Sequence, residues 1–215
     1  IYLDLVSVRA PINLMLAAPG AQRMPVIENA AKEPHVVDVA NFLKPMRADI
    51  RGARTDIIKI RGGKPLGGGS YAIIPDQIEA GTYMVAAAAA GGKVRVCNVI
   101  PKHLESITAK LRDAGVTVVE YDDSVEVSRK GKLLSVRLKT QPYPGFPTDM
   151  QPQLTALMTV ASGESHIREG VYDKRFGYVS ELAYMGAKIS VDDDLCIVNG
   201  VEKLTGAKVR SLDLR

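Results

Sequence analysis

The chain has 215 residues, of which 46% are hydrophobic and 24% charged, with a formal net charge of +4. Only 5% of residues are aromatic and there is no Trp, which predicts an aliphatic core and argues against an exposed ring platform for single-stranded nucleic acid. Lys and Arg are scattered rather than run together, which argues against a polybasic groove and suits either a solvated surface or a small anionic ligand.

In chain order, Ile1 to Leu5 is β-like, and the chain opens and closes inside such patterns. Sequence is therefore expected beyond both ends. Ser7-Val8-Arg9-Ala10-Pro11 leads into a helical stretch, and Val26-Ile27-Glu28-Asn29 is a short strand. Pro45 interrupts the next helix, and Arg47 stands where a terminating Gly is usual. Lys64 to Ser70 is glycine-rich and is read as a hairpin between repeats, because its Lys precedes the glycines, the reverse of a phosphate loop. Asp76 with Glu79 forms a capping-box pattern opening an Ala-rich helix that Gly91-Gly92 ends. Lys93 to Val99 alternates as a strand. A helix from Pro101 carries Leu104, Ile107 and Leu111 on one face, and strands at 116–121 and 124–128 follow. A further strand is read at Leu134 to Lys139.

The pattern repeats. Met46-Arg47-Ala48, Ala114-Gly115-Val116 and Met185-Gly186-Ala187 each end a helix and enter a strand, at a period of about 70 residues. Asn29, Asn98 and Gly170 recur upstream with a similar period. The unit reads β-α-β-α-β-β, giving an α/β fold of about three repeats. Three such units are expected to enclose their helices, present their sheets outward and close as one domain.

Three segments carry candidate chemistry. In Tyr143 to Gln151, two prolines and a glycine make a rigid loop before a helix with Leu154, Leu157 and Met158 as its apolar stripe. Asp149 there reads as a helix N-cap or, alternatively, as a general base beside a helix start able to hold an anion. Gly170 to Phe176 is either a solvated loop or an anion-binding loop with two cations. Ser211-Leu212-Asp213-Leu214-Arg215 holds an Asp/Arg pair that is otherwise an ordinary surface ion pair. His35, His103 and His166 are dispersed, and Cys97 and Cys196 belong to no CxxC pair, so neither metal nor disulfide is expected. A reducing cytoplasm is the compartment inferred from this cysteine usage. No apolar run is long enough to span a bilayer.

Several strings resemble one family. Val26-Ile27-Glu28-Asn29-Ala30-Ala31-Lys32-Glu33-Pro34, Pro75-Asp76-Gln77-Ile78-Glu79-Ala80-Gly81-Thr82 and Phe146-Pro147-Thr148-Asp149-Met150-Gln151 are similar to the UDP-N-acetylglucosamine 1-carboxyvinyltransferases. So are Asp173-Lys174-Arg175-Phe176 and Lys203-Leu204-Thr205-Gly206-Ala207. The resemblance implies an inside-out α/β barrel of βαβαββ repeats, with residues 1–75 as the last repeat of one domain and 76–215 as two repeats of a second. It implies enolpyruvyl transfer from phosphoenolpyruvate to UDP-N-acetylglucosamine, without a cofactor, by a cytoplasmic monomer.

By the same resemblance, Asp149 takes the proton of the attacked hydroxyl, Arg175 and Arg215 serve catalysis, and Ser7, Val8, Val171 and Asp213 hold substrate. The family's reactive cysteine and a lysine match nothing here, so the segment by itself is expected to be inactive. Arg9 and Pro11 replace the family's usual Gly and Thr, and Arg9 is expected to obstruct close backbone approach to a nucleotide. Two other readings stay open: a non-catalytic remnant that binds nucleotide-sugar or a partner protein, and an enolpyruvyl transferase with another acceptor such as shikimate 3-phosphate.

Overall fold

The structure, a computed structural model, describes residues 1–63 and 65–212. The chain divides into two compact units, residues 1–74 with 142–144, and residues 75–141 with 145–215. The three repeats therefore do not close as a single domain, because each unit gathers its own core. Met15, Ile27, Val36, Ile58 and Ile60 centre the smaller one. Met84, Leu111, Val125, Leu154, Ile167 and Val198 centre the larger. Both cores are aliphatic, and each fully buried Leu or Ile contributes roughly 1.5–3 kcal/mol.

The smaller unit runs α1 (Arg9–Ala17), β1 (Val26–Glu28), α2 (Pro34–Leu43), β2 (Asp49–Arg51) and β3 (Ile57–Arg61). Its sheet order is β1-β3-β2, with Tyr2 bridging in parallel to Glu28 at the β1 edge. The larger unit begins with α3 (Gln77–Ala90), β4 (Gly92–Cys97), α4 (Glu105–Asp113), β5 (Thr117–Glu120) and β6 (Ser124–Arg129). It continues with β7 (Arg137–Lys139), α5 (Gln151–Met158), β8 (Glu164–Arg168), α6 (Val179–Tyr184), β9 (Lys188–Asp192) and β10 (Leu195–Asn199). Its sheets have orders β4-β6-β5 and β7-β8-β10-β9. All three sheets thus share one plan: an antiparallel trio with the last strand central. A parallel first strand is added in the first copy (Tyr2) and the third (β7). In the larger unit α3 packs on α5, while β4 and β6 back α3 and β8 and β10 back α5. Helices lie inside and sheets outside, the inside-out arrangement.

The local reasons recur in each copy. The second helix ends in a left-handed residue: Arg47 at φ 74°, Gly115 at 81° and Gly186 at 92°. The next amide in each case reaches back to a leucine carbonyl, Ala48 to Leu43 at 3.2 Å, Val116 to Leu111 at 2.9 Å and Ala187 to Leu182 at 3.1 Å. This is the Schellman closure, and Pro45 does not prevent it, because α2 stops at Leu43 and the closure uses other amides.

Asp76 caps α3, its carboxylate accepting the Ile78 amide at 2.8 Å. Residues 65–76 form no strand, contrary to the hairpin expected from the glycines. They have no regular secondary structure, and the Gly67 amide is bonded to the Met46 carbonyl at 2.8 Å while Tyr71 donates to the buried Asp38 at 2.6 Å. That bond to the carboxylate pushes the Tyr71 hydroxyl's pKa up.

Candidate functional site

The site is built where the third repeat's first crossover begins. After β7, Thr140 pairs with Phe146 and the chain turns through a 3-10 turn, Thr148–Met150, into α5. Neither the turn nor α5 takes a side-chain cap. The N-cap role expected for Asp149 is therefore not what the structure shows. Its carboxylate is turned instead toward the loop after β8, where Arg175 Nη1 lies 2.8 Å from Asp149 Oδ1. The Arg175 side chain is 13% exposed and that of Asp149 35%, so this ion pair is partly withdrawn from water.

Arg175 also donates to Thr148 Oγ1 at 2.8 Å, and its guanidinium lies 5.4 Å from the Tyr172 ring, within cation–π range. Lys174 adopts φ 57° and stays exposed while Arg175 turns inward. Phe146 and Phe176 are the buried aromatics among the described residues, and both belong to the larger unit's core. Residues 170–174 are exposed, and the end of the loop is anchored by the Arg175 ion pair and the buried Phe176 ring.

A residue that the motifs do not single out joins these parts. Glu169 is 5% exposed and accepts from Thr140 Oγ1 at 2.6 Å, the Val171 amide at 2.9 Å, the Tyr172 amide at 3.1 Å and Thr148 Oγ1 at 3.0 Å. In sequence it is one of 24 acidic residues between an Arg and a Gly, and only its burial marks it. The backbone N–H of Val171 is committed to this carboxylate.

Asp149, Arg175 and Val171 therefore come together within the larger unit. Ser7 and Val8 lie in the smaller one, at the start of α1, where Ser7 Oγ accepts the Ala10 amide at 3.4 Å. Arg9 is the exposed first residue of α1, and Pro11 sits in its first turn, where a missing N–H leaves no helical bond unmade. Asp213 and Arg215 lie outside the described residues.

Cys97 is exposed at the end of β4. Cys196 is buried in β10, and burial pushes its thiol up to about 12. Among the described residues no His/Cys/Asp/Glu group has metal-ligand geometry, and no helix is long and apolar enough to cross a membrane. Two shallow cavities, of about 310 and 130 Å³, both belong to the smaller unit. The smaller cavity is lined by Met24, Asp49, Arg51, Lys59 and Arg61.

Residues 1–215 match the model of the EPSP synthase (3-phosphoshikimate 1-carboxyvinyltransferase) family. The chain is 58% identical over all 215 residues to a UDP-N-acetylglucosamine 1-carboxyvinyltransferase of Clostridium botulinum, spanning 52% of that protein. It is 60% identical to UDP-N-acetylglucosamine 1-carboxyvinyltransferase 3 of Caldanaerobacter subterraneus, again over 52% of its length. The enolpyruvyl transferase NikO of Streptomyces tendae superposes with a TM-score of 0.75 at 28% identity, over 85% of this chain and 44% of that one. The chain thus spans about half the length of the curated relatives it matches. Its repeats, its inside-out layering and these matches together place the chain in the EPSP synthase family, with the enolpyruvyl transferase fold.

Proposed function

We propose that the complete protein transfers the enolpyruvyl group of phosphoenolpyruvate to the 3-hydroxyl of UDP-N-acetylglucosamine and releases phosphate, the first committed step of peptidoglycan synthesis. It acts in the cytoplasm, as a monomer and without a cofactor. Residues 1–75 form the last repeat of one barrel domain and 76–215 two repeats of the other. The observation that carries the reading is the 2.8 Å pairing of Asp149 with Arg175, in a chain 52–60% identical from end to end to transferases of that name.

The chemistry follows from the residues. As the sugar hydroxyl oxygen bonds to C2 of phosphoenolpyruvate, its proton passes to the Asp149 carboxylate and the C2=C3 π pair takes up a proton at C3, giving a methyl group. In the elimination C3 gives a proton back, the double bond re-forms and the C2–oxygen bond breaks, releasing phosphate. Arg175 and Arg215 are assigned to the anionic groups of phosphoenolpyruvate, where fixed cations stabilise the charge that the departing phosphate gains in the elimination. Ser7, Val8, Val171 and Asp213 hold the nucleotide-sugar.

The test is phosphate release by the complete protein from phosphoenolpyruvate and UDP-N-acetylglucosamine. Asp149→Ala is expected to lose about 10²–10⁴-fold in kcat, the usual worth of a general base, with its melting temperature retained. Near-normal turnover by that variant removes Asp149 from the mechanism. Turnover with shikimate 3-phosphate alone replaces the acceptor, and calorimetric binding of the nucleotide-sugar without turnover supports a non-catalytic remnant.

A further inference from the structure

The three repeats can be aligned through their strand registers. Glu28 pairs with Ile57, Cys97 with Ser124 and Arg168 with Leu195, each at the hairpin end of its sheet. By strand register the residues that follow, Asn29, Asn98 and Glu169, take the same place, although by its backbone bond to the hairpin turn Glu169 matches Ala30 and Val99. This moves the third marker one residue earlier than Gly170, the position that spacing suggests. Asn29 and Asn98 are both left-handed, at φ 59° and 54°. The residue after each donates to the hairpin turn, Ala30 to the Asp56 carbonyl and Val99 to the Asp123 carbonyl, both at 2.9 Å. In the third copy Glu169 itself makes that bond, to Asp194 at 2.8 Å.

In the first copy the side chain at this position ties the repeat together: Asn29 Nδ2 donates to the carbonyl of Leu3, the residue after the parallel bridge, at 2.7 Å. Thr140 is the corresponding residue after β7, and Glu169 accepts its hydroxyl at 2.6 Å. The first and third copies thus both tie parallel neighbours together at this register position, the third through a carboxylate. A carboxylate accepts on two oxygens and needs four or so donors when buried, and the extra ones come from the site: the Val171 and Tyr172 amides and the Thr148 hydroxyl.

We propose that Glu169 is the positioning residue of this site, the group that sets the height of the 170–176 loop so that Arg175 meets Asp149. The inference rests on the functional reading above only for what Arg175 then does. The donor directions give it content. Thr148 spends its proton on Glu169 Oε2 and so offers its lone pair to Arg175. Thr140 spends its proton on Oε1 and so accepts the Gly170 amide at 2.8 Å. The carboxylate therefore orients both hydroxyls, and through them both ends of the short 148–149 and 170–175 pairing.

Glu169→Gln discriminates this from ordinary packing. The glutamine oxygen can keep the three donors at Oε1, but its NH₂ then faces Thr148 Oγ1, which already receives Arg175. Glu169→Ala removes both arms. In the complete protein, deuterium exchange of the 170–173 amides is expected to accelerate at least about tenfold in Glu169→Ala and to stay within about threefold of the parent in Glu169→Gln, with β8 and β10 unchanged in both.

With phosphoenolpyruvate and UDP-N-acetylglucosamine, Glu169→Gln is expected to lower kcat by about tenfold or more, with the nucleotide-sugar KM within about threefold. Adding Thr148→Val is expected to cost little more, because both changes cut one relay. Unchanged exchange in Glu169→Ala overturns the proposal, and so does additive loss in the double variant. If the parent protein shows no turnover, the functional reading fails and the exchange comparison decides the role of Glu169 by itself.

Discussion

Arg47 stands at φ 74° where the two other repeats have glycine. A side chain in the left-handed region costs roughly 1–2 kcal/mol, part of which glycine would return in unfolded-chain entropy. Arg47→Gly is therefore expected to stabilise the protein by about 0.5–1 kcal/mol, read as a rise in melting temperature. No change, or a fall, means that the arginine side chain contributes more than its backbone costs. Asp149 and Glu169 show the opposite use of a residue. Each is a carboxylate whose local sequence suggests something plain, a helix cap or a strand end. Each takes its role from side chains distant in the chain, Arg175 for the first and Thr140 for the second.

At the scale of the element, the helix ends were the most legible feature. Gly91, Gly115 and Gly186 all adopt positive φ, and the capping pattern at Asp76 is realised by its bond to the Ile78 amide. Asp76→Ala should cost about 1 kcal/mol, the common worth of an N-cap, measured by chemical denaturation; a loss below about 0.3 kcal/mol would show that water replaces the cap. The elements that were misread share one cause. The 65–76 segment carries the glycines of a turn, but the partners that hold it, Met46 and Asp38, belong to a helix end and a helix many residues away. The first helical turn before α5 looked capped because Asp at such a place usually caps, and a competing guanidinium outweighed that local preference.

At the scale of the whole molecule, the larger unit's core includes a thiol at 0% exposure, Cys196, whose pKa rises from 9.0 to about 12 because burial disfavours the thiolate. The sign follows from proton uptake: between these values the unfolded chain has lost the proton that the folded chain keeps, so stability falls as pH rises. The contribution is whole below about pH 9 and lost as pH climbs toward about 12. Cys196→Val should flatten this alkaline limb in urea titrations at stepped pH. An unchanged limb would assign it to other groups. In the native protein a thiol reagent should label Cys97, which is exposed, well before Cys196.

What the sequence determined by itself was periodic or local. The apolar spacing, the helix-ending glycines and the recurrence of one strand–helix pattern were enough for an α/β fold of three repeats, because each reports short-range geometry that every copy repeats. Its motif strings also carried the resemblance to the UDP-N-acetylglucosamine 1-carboxyvinyltransferases, to which the chain is 58–60% identical, and the match over residues 1–215 places it in the EPSP synthase family. Periodicity alone pointed to one closed domain and only the resemblance to two; which apolar faces gather into which core is decided by the tertiary structure. It alone turned Asp149 from cap to ion-pair partner and brought Glu169 beneath the loop. Burial and hydrogen-bond geometry between residues tens of positions apart decide such roles, and no local pattern encodes them.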